Sequence, residues 1–420
     1  MAHWRRNIRG IEDMSALPHP SPAVDVADVI GSDAEALAVA HRLASRLAAG
    51  AAQRDRERVL PPEELAAFSA SGLWGITVPR AYGGAQVSNV TLAEVTAIIA
   101  AADSALAQLP QNHFYVLELL RVGGTPAQQR QFYGLALRGA RFGNALSETG
   151  RRDYQRQTRL VPLPGGGWQL DGQKFYCTGA IHAQWIPVWA AREERGRDVG
   201  VLAFVPRDQP GVTVVDDWDG FGQRITSSGS ARFERVHVHD EWIIPFQAAF
   251  DRPTTAGPLA QILHAAIDLG IAQGAVAAAV QQVRQHARPW IDAGVHRASD
   301  DPLTIHQFGD LAVRLRAARA LIRRAGRILD DAQRAPDAAS VAEASVAVAQ
   351  ARVLTTTVSL RAGNKLLELG GTSATPAGLG LDRYWRNART HTLHDPVRWK
   401  YHAIGNYYLN GRLPPRHGAI

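Results

Sequence analysis

A chain of 420 residues is too long for one small core and predicts two or three domains. With 46% hydrophobic and 20% charged residues it reads as a soluble globular protein, and its single cysteine, Cys177, excludes an internal disulfide framework and fits a reducing cytoplasm. The net charge of +7 and pI near 9.8 suit an anionic ligand, yet of 46 basic residues only Lys174, Lys365 and Lys400 are lysines. The arginines lie along helices without a dense run, so no nucleic acid is expected as partner.

Residues 1–30, rich in Pro, Ser, Asp and small residues, predict a mobile arm, and MAHWRRNIRG lacks the apolar core of a secretory signal. From Asp33 to about Arg56 the spacing of Ala36, Leu37, Ala40, Leu43, Leu47 and Ala48 is helical, with Ser32 or Asp33 as N-cap. Further helices are expected at 62–71, 89–105, 111–122 and 125–138, which makes residues 31–140 a helical domain. Near residue 141 the period changes. FGNALSE, TRLVPL, GWQLDGQKFYCTG, WIPVWAA, VGVLAFVP, GVTVVDD and ARFERVHV are β-rich runs between turns and predict a sheet or small barrel over 141–245. Helices at 258–288, 303–333, 338–369 and near 397–409 then predict a four-helix bundle over 246–420. The most apolar run, 259–280, is interrupted by Gln261, His264, Asp268 and Gln273, so it is expected inside protein rather than across a membrane.

No GxGxxG follows a strand, and Walker, HExxH, zinc-ribbon and GxSxG patterns are absent from the sequence. Any redox chemistry therefore takes its reducing equivalents from elsewhere. The stretch WRNARTHTLHDPVRWK at 385–400 places His391, His394 and Asp395 within five residues. Imidazoles three positions apart share a helix face, and a carboxylate beside them fixes tautomer, so this is a candidate proton-handling site. The competing reading is a helix end closed by Asp-Pro. His402 is the one further histidine nearby, so no metal is expected, and Cys177 reads as a small buried apolar residue.

GNALSET at 143–149, DGQKFYCTGA at 171–180, GFGQRITSSGSARFERVHV at 220–238 and GIAQGA at 270–275 resemble, in order and spacing, the acyl-CoA dehydrogenase superfamily over about residues 30–410. The resemblance implies an α+β fold: an N-terminal helical domain, a central β-barrel or sheet and a C-terminal four-helix bundle, assembled as a homo-oligomer, usually a tetramer. Where the dehydrogenases carry a catalytic Glu-Gly-Thr, this chain reads HTLHDP, and the segment after Glu148 is GRRDYQ, without the usual Gly-Ser-Asp turn. HTLHDPV, DDWDGFG at 216–222 and ARPW at 287–290 instead look like the flavin-dependent monooxygenase branch, typified by dibenzothiophene monooxygenases and the SfnB-type sulfur-acquisition oxidoreductases. Such enzymes use reduced FMN from a separate NAD(P)H:flavin reductase and pass oxygen from O2, through a C4a-hydroperoxyflavin, to a small organosulfur compound in the cytoplasm. HQFGD at 306–310 mimics the dehydrogenase motif that holds the FAD diphosphate but falls too late. The arginine of that motif matches Arg288, and Pro289-Trp290 replace the rest, which favours FMN over FAD.

The resemblance further implies site residues. Asn144 and Thr178 would sit near the reactive edge of the flavin, Ser147 and Thr149 against the ring or ribityl chain, Lys174, Phe175 and Tyr176 along the same strand, and Trp218 as a wall. Arg288, from across a subunit boundary, would bind the FMN phosphate, with Thr372 and Ser373 near it. His394, or His391, would hold the proton during oxygen activation, and His113 and Tyr115 of QNHFY would border the substrate. Taken singly, Asn144 is a turn residue, Thr178 a strand residue, Trp218 a core residue and the 370–373 loop a helix C-cap. Two rival readings remain: an acyl-CoA dehydrogenase with an unusual base such as Asp395, and a non-catalytic flavin-fold protein.

Overall fold

The structure, a computed structural model, describes residues 27–149 and 156–420. Most of the expected N-terminal arm and the segment GRRDYQ at 150–155 lie outside the described residues. Its described end is tied down: Ala27 and Ile30 are buried, and Asp28 N–H donates to Ala70 O at 2.9 Å.

Six helices come first: α1 (Asp33–Ala48), α2 (Ala51–Glu57), α3 (Pro62–Ala70), α4 (Asn89–Ala102), α5 (Ser104–Gly123) and α6 (Pro126–Leu137). Ser32 caps α1 through the Glu35 N–H, Ser88 caps α4, and Thr125 with Gln128 makes a reciprocal capping box on α6. Two expectations are corrected by local chemistry. The helix expected over 33–56 breaks at Gly50, whose φ of 78° is left-handed backbone that glycine adopts without strain. The boundary expected after residue 105 falls instead at Asp103, whose carboxylate caps α5 through the Ala105 and Leu106 N–H groups while pairing with Arg54 at 3.0 Å. Thus α5 begins seven residues before the expected helix at 111.

Seven strands follow: β1 (Arg159–Pro162), β2 (Trp168–Lys174), β3 (Trp185–Glu194), β4 (Arg197–Pro206), β5 (Val212–Val215), β6 (Ser230–Val238) and β7 (Ile243–Pro245). Among the described residues they form one sheet in the order β5-β6-β2-β1-β3-β4-β7, antiparallel except for the β1–β3 pair. The run FGNALSE, expected as a strand, touches the sheet only through isolated bridges at Phe142, Ala145 and Ser147. Alternation along β4 buries Val201, Ala203 and Val205 in the core under the sheet, and on β6 Phe233 and Val236 both enter it because the strand is irregular between them, with Arg235 at φ 52°.

The chain then returns to helices: α7 (Ala248–Asp251), α8 (Ala256–Gln285), α9 (Pro302–Arg334), α10 (Ala338–Gly370), α11 (Asp382–His391) and α12 (Val397–Asn410). By length and composition α8 is able to cross a membrane, with mean hydropathy 1.5 in its most apolar window. That window is 78% buried inside the protein, so α8 is the axial helix of the bundle. Ile262, Leu263, Ile267 and Ile271 are each at most 1% exposed, worth about 1.5–3 kcal/mol apiece. Gly270 and Gly274 let α8 lie directly on α4: a Cβ at Gly270 would meet Ala97 O at 2.5 Å. This close approach sets where the polar residues one to three turns earlier on α8 emerge.

Candidate active site

Four elements converge on one crevice between sheet and bundle. From the sheet side, Gly143 O accepts from Asn112 Nδ2 of α5 at 2.5 Å, and Asn144 N–H donates to Thr178 O at 3.1 Å. One turn-step along, Gln111 of α5 reaches Ala260 O of α8 at 3.5 Å. Ala260 lies one helical turn before His264, whose ring packs on His394 with centroids 4.1 Å apart. Asn112 thus ties α5 to the Asn144–Thr178 segment on the sheet side, and Gln111 ties it to the start of α8, one turn before the His264 on which His394 packs. Between Ser104 and Leu120 every residue of α5 is buried except Gln108 and Gln111, which share a face at i,i+3.

The loop closing this crevice is held by Gln223, at positive φ of 51°. Its N–H donates to Asn387 Oδ1 of α11 at 2.7 Å, and its amide spans to Ser104 O at 3.1 Å and Gln108 Oε1 at 2.8 Å of α5. Gly222 next to it lies against Arg386 O, where a Cβ would come within 2.1 Å. Trp218 Nε1 donates to Gln223 O at 2.9 Å, and its ring meets Tyr176 edge-on with centroids 6.3 Å apart. Tyr176 is 54% exposed and half-buried Trp218 stands beside it, so aromatic surface faces the opening. Below them the Thr178, Ser228 and Thr226 hydroxyls form a chain of 2.7 and 2.8 Å contacts.

On the helical side the histidines form a second chain. His391 is buried, with Nδ1 2.5 Å from Asp268 Oδ1 and Nε2 3.1 Å from His264 Nδ1. Asp268 also pairs with Arg352 and accepts from Thr356 Oγ1 at 3.1 Å. His394 is 45% exposed, with Nδ1 3.5 Å from Asp395 Oδ2, which accepts from Gln261 Nε2 at 2.9 Å. Burial pulls His264 well below the ordinary imidazole pKa, reinforced by the nearby cationic groups, and lowers His391 despite Asp268. Burial works to raise Asp395, but the hydrogen bond and charge of His394, with Lys400 and Arg352, hold it well below the usual carboxylate range. Donor atoms of His264, His394 and Asp395 lie within 4.8 Å of one another. Asp395 is held by Gln261 and His264 Nδ1 by His391, so the group is part of a hydrogen-bonded cluster.

The structure places the other expected residues as follows. Ser147 and Thr149 are exposed beside Phe175, whose N–H donates to Ser147 O at 3.0 Å. Lys174 corrects an expectation: its side chain is 0% exposed and pairs with Glu148 at 2.6 Å, tying GNALSET to β2 instead of facing the crevice. Burial takes the Lys174 ammonium down to about 8. Arg288 is exposed beyond α8, and no hydrogen-bond or ion-pair partner for it lies among the described residues. Thr372 and Ser373 are exposed after α10, with Ser373 Oγ accepting from Gln282 Nε2 at 2.9 Å and donating to Gly370 O at 2.8 Å. His113 and Tyr115, expected on the substrate side, are in the core. His113 is 0% exposed, and both ring nitrogens are used by backbone, at Trp74 O (2.8 Å) and Phe142 N–H (3.2 Å). Residue 113 lies about 200° around the helix from Gln111, so the right helix was chosen but the wrong face. Sequence reasoning also missed Gln108, Gln223, Asp268 and Arg352 as parts of the site.

The site fits a flavin mononucleotide on its own chemistry. It offers an exposed aromatic face at Tyr176 beside half-buried Trp218 and hydroxyl and amide groups at the sheet edge, while at the far end of α8 the exposed Arg288 guanidinium has no partner among the described residues. Thr390 Oγ1, which faces Gly222, is a buried hydroxyl with no partner.

Comparison with known proteins agrees. The models of the acyl-CoA dehydrogenase N-terminal, middle and C-terminal domains match residues 35–140, 145–236 and 262–399. The chain is 34% identical to dibenzothiophene monooxygenase of Rhodococcus erythropolis over 91% of its length and 95% of that protein's. It is likewise 34% identical to the probable FMNH2-dependent monooxygenase SfnC of Pseudomonas putida, over 90% and 96%. Among solved structures, FMN-bound TdsC from Paenibacillus sp. A11-2 superposes with a TM-score of 0.88 at 32% identity, covering 92% of this chain and 100% of that one. With all three domain models matched in order, this chain belongs to the acyl-CoA dehydrogenase family.

Proposed function

We propose that the protein is a two-component monooxygenase that uses FMNH2 from a separate NAD(P)H:flavin reductase to oxygenate the sulfur of a small organosulfur compound. The carrying observation is the solvent-reaching imidazole of His394, backed by buried His264 and His391; in the proposed arrangement it stands opposite the sheet edge of Asn144 and Thr178. The similarity to dibenzothiophene monooxygenase, SfnC and FMN-bound TdsC supports the cofactor and the organosulfur class.

FMN, when bound as FMNH2, supplies two electrons and two protons, so that one atom of O2 forms the S–O bond and the other leaves as water. The chain's own groups do the rest. Asn144 and Thr178 would hydrogen-bond the reactive edge of the ring, while Tyr176 and Trp218 would cover it and exclude water. Arg288 of a neighbouring subunit would bind the phosphate, with Thr372 and Ser373 beside it. His394 would hold and return the proton on the oxygen-reactive side. Gln108 and Gln111 face the substrate with amides, which suits a compact molecule carrying hydrogen-bond acceptors. Exposed Trp290 (69%) and Ile291 (85%) after α8, with Leu303 (76%) and Val313 (70%) on α9, fit a homo-oligomer, read as a tetramer. The single, buried Cys177 suits the cytoplasm.

Asp395 argues against dehydrogenation of an acyl-CoA. Held as a stabilised anion and engaged by Gln261, it is a poor acceptor for an α-proton. The test supplies FMNH2 through a reductase under 18O2 with a panel of sulfides, sulfones and sulfinates. One 18O atom in the product, with no bleaching of bound FMN by acyl-CoA under anaerobic conditions, is expected. Bleaching by acyl-CoA without oxygen transfer overturns the reading.

A further inference from the structure

Asp268, His391 and His264 are joined in series by hydrogen bonds whose direction the partners dictate, and the last ring packs on His394 with centroids 4.1 Å apart. Asp268 Oδ2 accepts from Thr356 Oγ1 at 3.1 Å and pairs with Arg352, and its Oδ1 lies 2.5 Å from His391 Nδ1. A carboxylate is acceptor-only, so His391 carries its hydrogen on Nδ1. A neutral His391 then has a lone pair on Nε2, and His264 Nδ1, 3.1 Å away, must be the donor. His264, neutral in turn, is left with a bare lone pair on Nε2.

We infer that Asp268, acting through His391 and His264, fixes the tautomer of a buried imidazole chain, so that the neutral ring on which His394 packs carries its lone pair at the outer end and supports the protonated form of His394, a nitrogen of each ring lying within 4.8 Å of the other. Asp268 and His264 are positioning residues, and His394 is the group that meets the flavin; this rests on the reading of the site as a flavin crevice. Burial independently favours the neutral rings the chain requires, since His264 and His391 are each lowered by desolvation. The charged and titratable groups facing the chain are Arg352 from α10, Lys400 from α12, and Asp395 and His394 on the turn between α11 and α12. Arg352 and Asp268 are 1% and 0% exposed and offset one another, so a proton moved inward onto Asp268 would leave a buried guanidinium uncompensated. The chain therefore acts as a fixed dipole and does not drain the proton of His394 into the core.

One substitution inverts it. In Asp268→Asn the donors Arg352 and Thr356 hold the amide oxygen, which turns the NH2 toward His391 Nδ1. His391 and His264 must then both carry hydrogen on Nε2, and the outer acceptor becomes a donor. Nitrogen-15 spectra of histidine-labelled, flavin-free protein read this directly. The wild type is expected to show His264 and His391 as Nδ1–H tautomers and Asp268→Asn to show both as Nε2–H. A wild-type His264 in the Nε2–H form overturns the inference. So does an Asp268→Asn variant with unchanged tautomers.

Should Asp268→Asn not fold, His264→Phe removes the outer acceptor while His391 keeps its Asp268 partner. Its expected signature is a downward shift, by about one unit, of the pH at which oxygenated product per FMNH2 falls off, with the affinity for oxidised FMN within about twofold of wild type. An unmoved profile overturns the positioning role. The tautomers are measured without flavin, so a protein that oxygenates nothing while showing the Nδ1–H pattern would sink the function and leave the chain standing.

Discussion

His113 and His394 are the same residue in opposite situations. His113 has Nε2 closed by Trp74 O and Nδ1 by the Phe142 N–H, and its ring stacks on Phe142 with centroids 5.0 Å apart. Burial takes it down to a pKa of about 3, so it is a neutral structural strut. His394 is backed by His264 and Asp395, and 45% of its side chain is open to the crevice. Chemistry from histidine needs an unclosed end. The backbone closes both ends of the first, and a buried imidazole chain closes only the inner side of the second.

The contrast can be broken in three ways. His113→Ala should cost the most in folding, about 3–5 kcal/mol, because it empties an aromatic site and leaves Trp74 O and Phe142 N–H without a partner. Urea unfolding at fixed protein concentration measures this, and a cost under about 1 kcal/mol would mean that the site collapses without loss. Arg288→Ala should leave folding alone and weaken FMN binding by about 1–3 kcal/mol through loss of a charge-assisted contact. Equal affinity by titration would put the phosphate elsewhere.

The smallest effect is in pH. His113 has its folded pKa lowered from 6.5 to about 3, and His182, also through burial, from 6.5 to about 4. Between those values the unfolded chain binds protons that the folded chain refuses. Their stabilising contribution is therefore complete above pH 6.5 and is lost as the pH falls toward 3. A His113→Asn variant should show a shallower decline in unfolding midpoint between pH 7 and pH 4. An identical slope would say that His113 titrates normally.

Helix boundaries were legible wherever a side chain caps them locally, as at Ser32 and Thr125, because that signal lies within four residues. Asp103 was not recognised as a boundary, since its role depends on Arg54, far away in sequence. The stretch with His391, His394 and Asp395 was legible as a cluster, and the motifs GNALSET and DGQKFYCTGA do pair, through Asn144 N–H to Thr178 O and Lys174 to Glu148. What stood behind them was visible only as polar interruptions of an apolar helix. His264 and Asp268 at i,i+4 were read as evidence against a membrane span, yet they are the inner half of the site. Their partners His391 and Arg352 come from other helices, and no spacing rule joins them. His113 was misjudged because the 3.6-residue period puts it about 200° from Gln111, whereas Tyr115 shares the face of Gln108 and Gln111 but is buried further along it.

The most direct test of the account is the yield of oxygenated product per FMNH2 consumed by His394→Ala, with FMN affinity and unfolding midpoint measured on the same preparation. The account predicts a fall of about 10²-fold, the wasted reducing equivalents appearing as hydrogen peroxide, while affinity and midpoint stay near wild type. A wild-type yield from His394→Ala would contradict it.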